Sequence, residues 1–359
     1  MIQSVAKLRV LLQVTPLIRL KNIRWFYFLL IILVGASCRN EDEVRPSYIP
    51  ALMEIPNGFP AVEFQEGNEF SMARWELGKK LFFDPVMSVD STVSCASCHL
   101  PELAFSDNQA FSPGVENRPG TRNASPLFNV AYHPYFTREG GVPTLEFQVL
   151  VPIQEHNEFD YNIVLLGERL AQDSNYVNMA ATAYEQVPNP FVITRSLAVF
   201  ERSLLSGYSP YDQYENYDIS SAMSKAAIRG RNLFFSDQTK CSSCHGGFNF
   251  TNYAFENNGL YEVYPDEGRF RLTGEEVDRA LFKVPSLRNI ELTAPYMHDG
   301  SMTSLEEIID HYQTGGKNHP NRSELIQPLN LTDEEKADLV QFLKSLTDET
   351  FIINPLFKE

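Results

Sequence analysis

The pentapeptide C-x-x-C-H occurs twice in the chain, as CASCH at 95–99 and as CSSCH at 241–245. No other feature restricts the fold as strongly, because each copy asks for a large flat ring to be enclosed beside it. The two thiols can reach the two vinyl groups of one porphyrin, and the adjoining histidine is then held beneath the iron as its proximal ligand. Cys95, Cys98 and His99 would thus hold one haem, and Cys241, Cys244 and His245 a second. Paired cysteines also serve other chemistries. A redox dithiol would not need the histidine in both copies, and a zinc ribbon closes a much shorter loop than the stretch from Cys98 to Cys241. Both copies follow a related run, GKKLFF at 78–83 and GRNLFF at 230–235.

Each run lies in a stretch with apolar residues at three- and four-residue spacing, which predicts a helix ahead of each haem. Trp75, Leu77, Leu81 and Phe82 can share a face in the first, and Ala227, Ile228, Leu233 and Phe234 in the second. Downstream, TDEEKADLVQFLKSL opens with a capping box, Thr332 with Glu335, and continues as a stripe of Leu339, Phe342, Leu343 and Leu346. Ile193, Leu197, Phe200 and Leu204 form a comparable stripe earlier on. A helix, a haem and a closing helix, given twice, is the layout of two tandem cytochrome c-like domains. Few segments alternate as strands do, so the predicted fold is mainly α, with one covalently bound haem per domain. The turn-rich SGYSPYDQYENYD puts the boundary near 212, giving an N-terminal haem domain over 68–212 and a C-terminal one over 213–359.

Residues 25–38 read WFYFLLIILVGASC. The apolar run is of signal-peptide length and too short to span a bilayer. With its basic flank and a cysteine after small residues, it resembles a bacterial lipoprotein signal, although Gly35 stands where a leucine is usual. This predicts a signal peptide over 1–37, lipidation at Cys38, a charged tether over 38–67, and an exported, membrane-tethered periplasmic protein. An ordinary signal peptide and an uncleaved anchor are the alternatives. Of five cysteines, one is then spent on the anchor and four on haem, leaving none for a disulfide. Beyond residue 37 the chain has 25 basic against 46 acidic residues, a net of −21. Such a body is unsuited to nucleic acid, which demands cationic contacts to phosphate, and would attract a basic partner.

At this point the chain resembles the bacterial diheme cytochrome c peroxidases and their MauG-type relatives. The resemblance runs from about residue 70 to 347 and rests on ordered blocks. These are LGKKLFFDP at 77–85, RNASPLFN at 122–129, GGVPTLEFQVLVPIQEHNEF at 140–159 and FKVPSLRNIELTAPYMHDGSMTSLEEIIDHY at 282–312, with the two haem motifs between them. It implies that the first haem reacts with hydrogen peroxide and the second relays electrons. Glu158 matches the acid–base residue, and Gln148 and Pro152 would line the same distal pocket. By itself, Glu158 reads as a solvated loop acid. Tyr312 matches the distal ligand of the second haem in the MauG-like branch, with Met297 and Met302 as alternatives. One calcium ion is implied between the domains, on the side chain of Asn123 and the carbonyls of Thr293 and Pro295.

Two departures stand out. The loop SPGVENRPGTRN has no histidine where many relatives carry one that blocks the first iron, so that iron is expected to be open at rest. His133 and His156 are near in sequence, but neither is at the matching place. Arg138, in FTREGG, stands where relatives have a tryptophan between the haems, leaving Tyr135 or Phe136 as substitutes. The function implied is a cytochrome-c peroxidase, reducing hydrogen peroxide with electrons from a small redox protein such as a cytochrome c or a cupredoxin. A MauG-like oxidase of a protein or organic substrate is the alternative, and a diheme electron carrier a third. A homodimer is among the states the resemblance implies.

Overall fold

The computed structural model describes residues 48–359. The signal peptide, Cys38 and the first part of the tether lie outside the described residues. The first lobe contains helices α1 (Met72–Phe83), α2 (Leu145–Gln148), α3 (Leu150–Gln154), α4 (Ile163–Leu170), α5 (Ser174–Tyr184) and α6 (Pro190–Arg202). The second contains α7 (Pro210–Asn216), α8 (Lys225–Phe234), α9 (Cys241–Cys244), α10 (Phe270–Thr273), α11 (Leu305–Thr314) and α12 (Asp333–Lys344), and α13 (Glu349–Ile352) ends the helical part. Among the described residues the only sheet is one antiparallel pair, β1 (Phe255–Glu256) and β2 (Phe282–Lys283), with Phe255 opposite Lys283. The fold is mainly α, as the periodicity predicts.

The two lobes are built alike. In the first, α1 crosses α6; Trp75, Leu77, Leu81 and Phe82 bury against Ile193, Leu197, Phe200 and Leu204. In the second, α8 crosses α12; Ala227 and Phe234 bury against Leu339, Phe342, Leu343 and Leu346, with Ile228 and Leu233 half-buried at the edge. The repeated glycine explains how closely these helices cross. A Cβ at Gly78 would stand 2.0 Å from the carbonyl oxygen of Ser196, and one at Gly230 would stand 1.9 Å from that of Asp338. Backbone meets backbone at both crossings, and only glycine fits. Gly230→Ala is therefore expected to lower the melting temperature by about 5 °C or more, since overpacking against an immovable backbone costs ~1–3 kcal/mol or more. Calorimetry would check this; an unchanged melting temperature would show that the helices separate at little cost.

The lobes are laced together from both chain ends. Phe59 packs on Phe248 of the second lobe, centroids 4.8 Å apart, and on Tyr132 of the first. Asp348 accepts hydrogen bonds from Ser206 Oγ and from the backbone N–H of Gly207 and Tyr208. The last residues, placed with the second domain by the sequence, pack on the first core instead: Phe351 and Phe357 lie 5.8 and 6.4 Å from Phe105. At the seam Arg288 and Asp212 form a two-bonded ion pair at 2.7 and 2.8 Å, with side chains 1% and 0% exposed.

Candidate active site and haem attachment sites

Each C-x-x-C-H motif folds as a single tight turn. Cys95–Ser97 is a 3-10 turn entered through a Ser94–Ser97 capping box, and the His99 N–H closes back on the Cys95 carbonyl at 3.0 Å. In the second lobe α9 does the same, with His245 N–H on the Cys241 carbonyl at 2.9 Å. All four cysteines are free and half-buried. His99 Nδ1 is 2.8 Å from the Phe105 carbonyl, and His245 Nδ1 is 3.2 Å from those of Phe250 and Pro285. A carbonyl only accepts, so each imidazole donates from Nδ1 and keeps the Nε2 lone pair for a metal. Burial favours the neutral, ligating form in both rings: it lowers the pKa of His99 and holds His245 near 4. The residues present fit a covalently bound haem at both places.

Around the first motif, α2 and α3 deliver the predicted pocket residues. Gln148 ends α2, and its Oε1 is buried without a hydrogen-bond partner, an orphan acceptor that suits a pocket wall. The Pro152 carbonyl accepts the N–H of Phe159 at 3.2 Å, and Glu155 accepts that of Glu158 at 3.0 Å; these bonds shape the loop that presents Glu158. The loop without a histidine is tied to the same place, because the Val115 N–H donates to the Glu158 carbonyl at 2.9 Å. By surface area Glu158 is exposed, yet protein crowds its carboxyl on most sides. A carboxyl on a concave wall keeps contact with solvent while losing much of its hydration. That desolvation, reinforced by the Glu155 carboxylate, pushes its pKa up to about 7. The loop bonded to it through Val115 reaches the first motif, with Cys98 Sγ 4.0 Å from the Pro113 carbonyl, which puts Glu158 beside the first attachment site.

Of the two nearby histidines, one is paired at the surface and the other is buried against aromatic rings with its Nε2 unpartnered. His156 is exposed and pairs with Arg118 and Asp160. His133 lies against Phe136 and Tyr253, and burial together with the charge of Lys283 holds its pKa near 3. One residue beside the first site escaped the sequence reading. Glu201, on α6, is buried, influences Cys95, and is raised to about 8 by burial, so it stays protonated at neutral pH. A carboxyl in the middle of an apolar helix stripe gives no local signal beyond its position.

At the second motif, Tyr312, on α11, is buried near Cys241 and Cys244 with Asn258 as a side-chain hydrogen-bond partner. Burial pushes the phenol up to about 12, so a metal would have to displace its proton. Of the alternatives, Met297 has its sulfur 3.3 Å from Asn258 Nδ2, and Met302 packs into the second core. Between the lobes, Tyr135 stacks on Phe255 at 5.2 Å and donates its hydroxyl to the Tyr253 carbonyl, whereas Phe136 is buried within the first lobe.

The residues expected to hold calcium do not fit that ion as they stand. Asn123 is buried, and its Nδ2 donates to the Gln109 carbonyl at 3.0 Å. Arg138 Nη2 lies 2.8 Å from the Asn123 carbonyl and 3.4 Å from its Oδ1. A dication on that oxygen would stand within about 4–6 Å of a guanidinium, a repulsion of several kcal/mol at an effective dielectric near 20.

Comparison with known proteins agrees with this architecture. A family model described as di-haem cytochrome c peroxidase matches residues 72–219, and one described as cytochrome c matches 227–347. The methylamine utilization protein MauG of Methylorubrum extorquens is 36% identical over 293 residues, covering 80% of this chain and 82% of that protein. The cytochrome-c peroxidase IdrP1 of a Pseudomonas species (strain SCT) is 31% identical over 345 residues, covering 87% and 88%. Among solved structures, a MauG-like protein associated with microbial copper homeostasis superposes with a TM-score of 0.80 at 33% identity, over 85% of this chain and 97% of that one. Two tandem cytochrome c-like lobes with one haem-attachment turn each define a di-haem c-type protein. This chain belongs to the di-haem cytochrome c peroxidase and MauG family and carries two c-type haems.

Proposed function

We propose that the protein is an oxidoreductase that reduces hydrogen peroxide to water at the first haem, with two electrons from a small redox protein, a cytochrome c or a cupredoxin. The observation that carries this reading is a carboxyl with a pKa near 7 beside the first pair of attachment cysteines. Haem iron, when bound, supplies the redox chemistry. The chain supplies proton handling: Glu158 takes a proton from one peroxide oxygen and returns it to the other, so that a neutral water can leave. Gln148 lines the pocket with an amide available to orient the substrate, and Pro152 holds the loop that aims Glu158. The acidic body suits a basic electron donor.

Tyr312 beside the second pair of cysteines, with the likeness to MauG, favours a second reading, an oxidase of a protein or organic substrate. The test is the ferric EPR spectrum with steady-state turnover on reduced cytochrome c. One high-spin and one low-spin haem with sustained turnover is the outcome expected of a peroxidase. The same spectrum without turnover would favour the oxidase, and two low-spin haems indifferent to peroxide would mark an electron carrier. Export and a lipid anchor at Cys38 belong to this reading, since thiols must meet haem outside the cytoplasm. Among the described residues no helix is long and apolar enough to cross a membrane. Calcium has no part in this reading, because Arg138 faces both oxygens of Asn123.

A further inference from the structure

We infer that Arg138 is the built-in cation of the junction between the lobes, occupying the place at Asn123 where the resemblance implies calcium, and that the protein neither needs nor retains that ion. Asn123 ties the lobes together, because its own N–H donates to the His298 carbonyl at 3.0 Å. Both of its oxygens face the same guanidinium nitrogen. The side-chain amide cannot turn away to offer Oδ1 elsewhere without losing its bond to the Gln109 carbonyl.

The loop that carries Arg138 is gripped from the second lobe. The Lys283 N–H, on β2, donates to the Arg138 carbonyl at 2.7 Å, and Lys283 Nζ donates to the Tyr135 carbonyl at 2.9 Å. The main chain at Arg138 is thus fixed from the second lobe, while the guanidinium itself is held by the two oxygens of Asn123. Glu139, Asp266 and Asp299 stand against Arg122 and Arg271, which leaves one negative charge for Arg138 to meet. Glu139 and Asp266 are already bonded by Arg122, at 2.5 and 2.6 Å, and Asp299 accepts from Tyr261 at 2.6 Å. These acids offset Arg138 across space without bonding it. A guanidinium stays protonated even when enclosed, so the cation is permanent.

The remaining expected ligands, the carbonyls of Thr293 and Pro295, carry no formal charge. Affinity for calcium rises with the number of charged ligands, and a set of one amide and two carbonyls has none to set against an adjacent guanidinium. A guanidinium makes the same demand on the site as the ion, oxygen acceptors and nearby negative charge, and meets it from within the chain. The exchange also recasts the absence of an aromatic ring at this position, since what the loop gains is a charge.

The experiment is elemental analysis and calcium titration of the holoprotein, with the Arg138→Ala variant alongside. The wild type is expected to carry calcium well below one ion per chain, to give no heat on titration with calcium chloride, and to keep its melting temperature and ferric EPR spectrum after treatment with a chelator. Arg138→Ala is expected to melt lower than wild type in chelator and to be restored by calcium. One tightly held calcium per wild-type chain, or a chelator-induced change in its EPR spectrum, would overturn the inference. So would an Arg138→Ala protein that melts like the wild type with and without calcium.

Discussion

Glu158→Gln is expected to keep both haems covalently attached and to lose hydrogen peroxide turnover by about 10²–10⁴-fold, the usual contribution of a placed acid–base group. The amide matches the carboxyl in shape, so the loop bonded through the Glu155 and Pro152 carbonyls should persist. What disappears is the site that accepts and returns a proton. The wild-type rate should also depend on pH with a definite sign. With a pKa near 7, Glu158 is largely protonated below that value and unable to accept a proton, so kcat/KM rises as the pH passes upward through about 7. Glu155 supplies the smaller part of that elevation, and Glu155→Gln should move the rise to lower pH. Turnover by Glu158→Gln at the wild-type rate, with both haems bound, would remove Glu158 from the chemistry.

Arg288→Ala should destabilise the folded protein by about 3–5 kcal/mol, because it strands the Asp212 carboxylate in an interior from which it cannot reach water. The pair has a structural reach that its two bonds understate. Asp212 also accepts from the N–H and hydroxyl of Ser209 at the start of α7, while Arg288 donates to the Phe248 carbonyl and lies over the ring of Phe59, 4.6 Å from its centroid. The segment after the second haem, the helix after the first lobe and the amino-terminal strap therefore meet on one guanidinium. The double variant Arg288→Met/Asp212→Asn should lose less than the sum of its single changes, since neither partner is then left as an unpaired buried charge. Chemical denaturation of all four proteins would measure this; additive losses would mean that the two residues act separately.

What could be read in the sequence was what is local. The haem motifs need only five consecutive residues, and the closing helices declare themselves by a 3.6-residue stripe, as with Leu339, Phe342, Leu343 and Leu346. Glu158 was readable only through the block around it, since an acid between Asn157 and Phe159 says nothing of its surroundings. Partners distant in sequence were the blind spot. Gly78 and Gly230 were visible as a repeat, but their purpose depends on the carbonyls of Ser196 and Asp338 across each helix crossing. Nothing local marks Arg288 and Asp212 as partners, since they lie 76 residues apart and meet only in the interior. In the sequence Arg138 stands out only for the aromatic side chain usual at its place, whereas its contact with Asn123 is what changes the chemistry of the junction.

The return of Phe351 and Phe357 to Phe105, whose carbonyl orients His99, constrains how such a molecule can be made. The enclosure of the first attachment turn is finished by residues far downstream of it, so Cys95 and Cys98 are made well before the side of the domain that covers them can close. Haem would be attached while that side is still open. A chain cut short before Phe351 would leave its first attachment turn uncovered rather than make a smaller working enzyme.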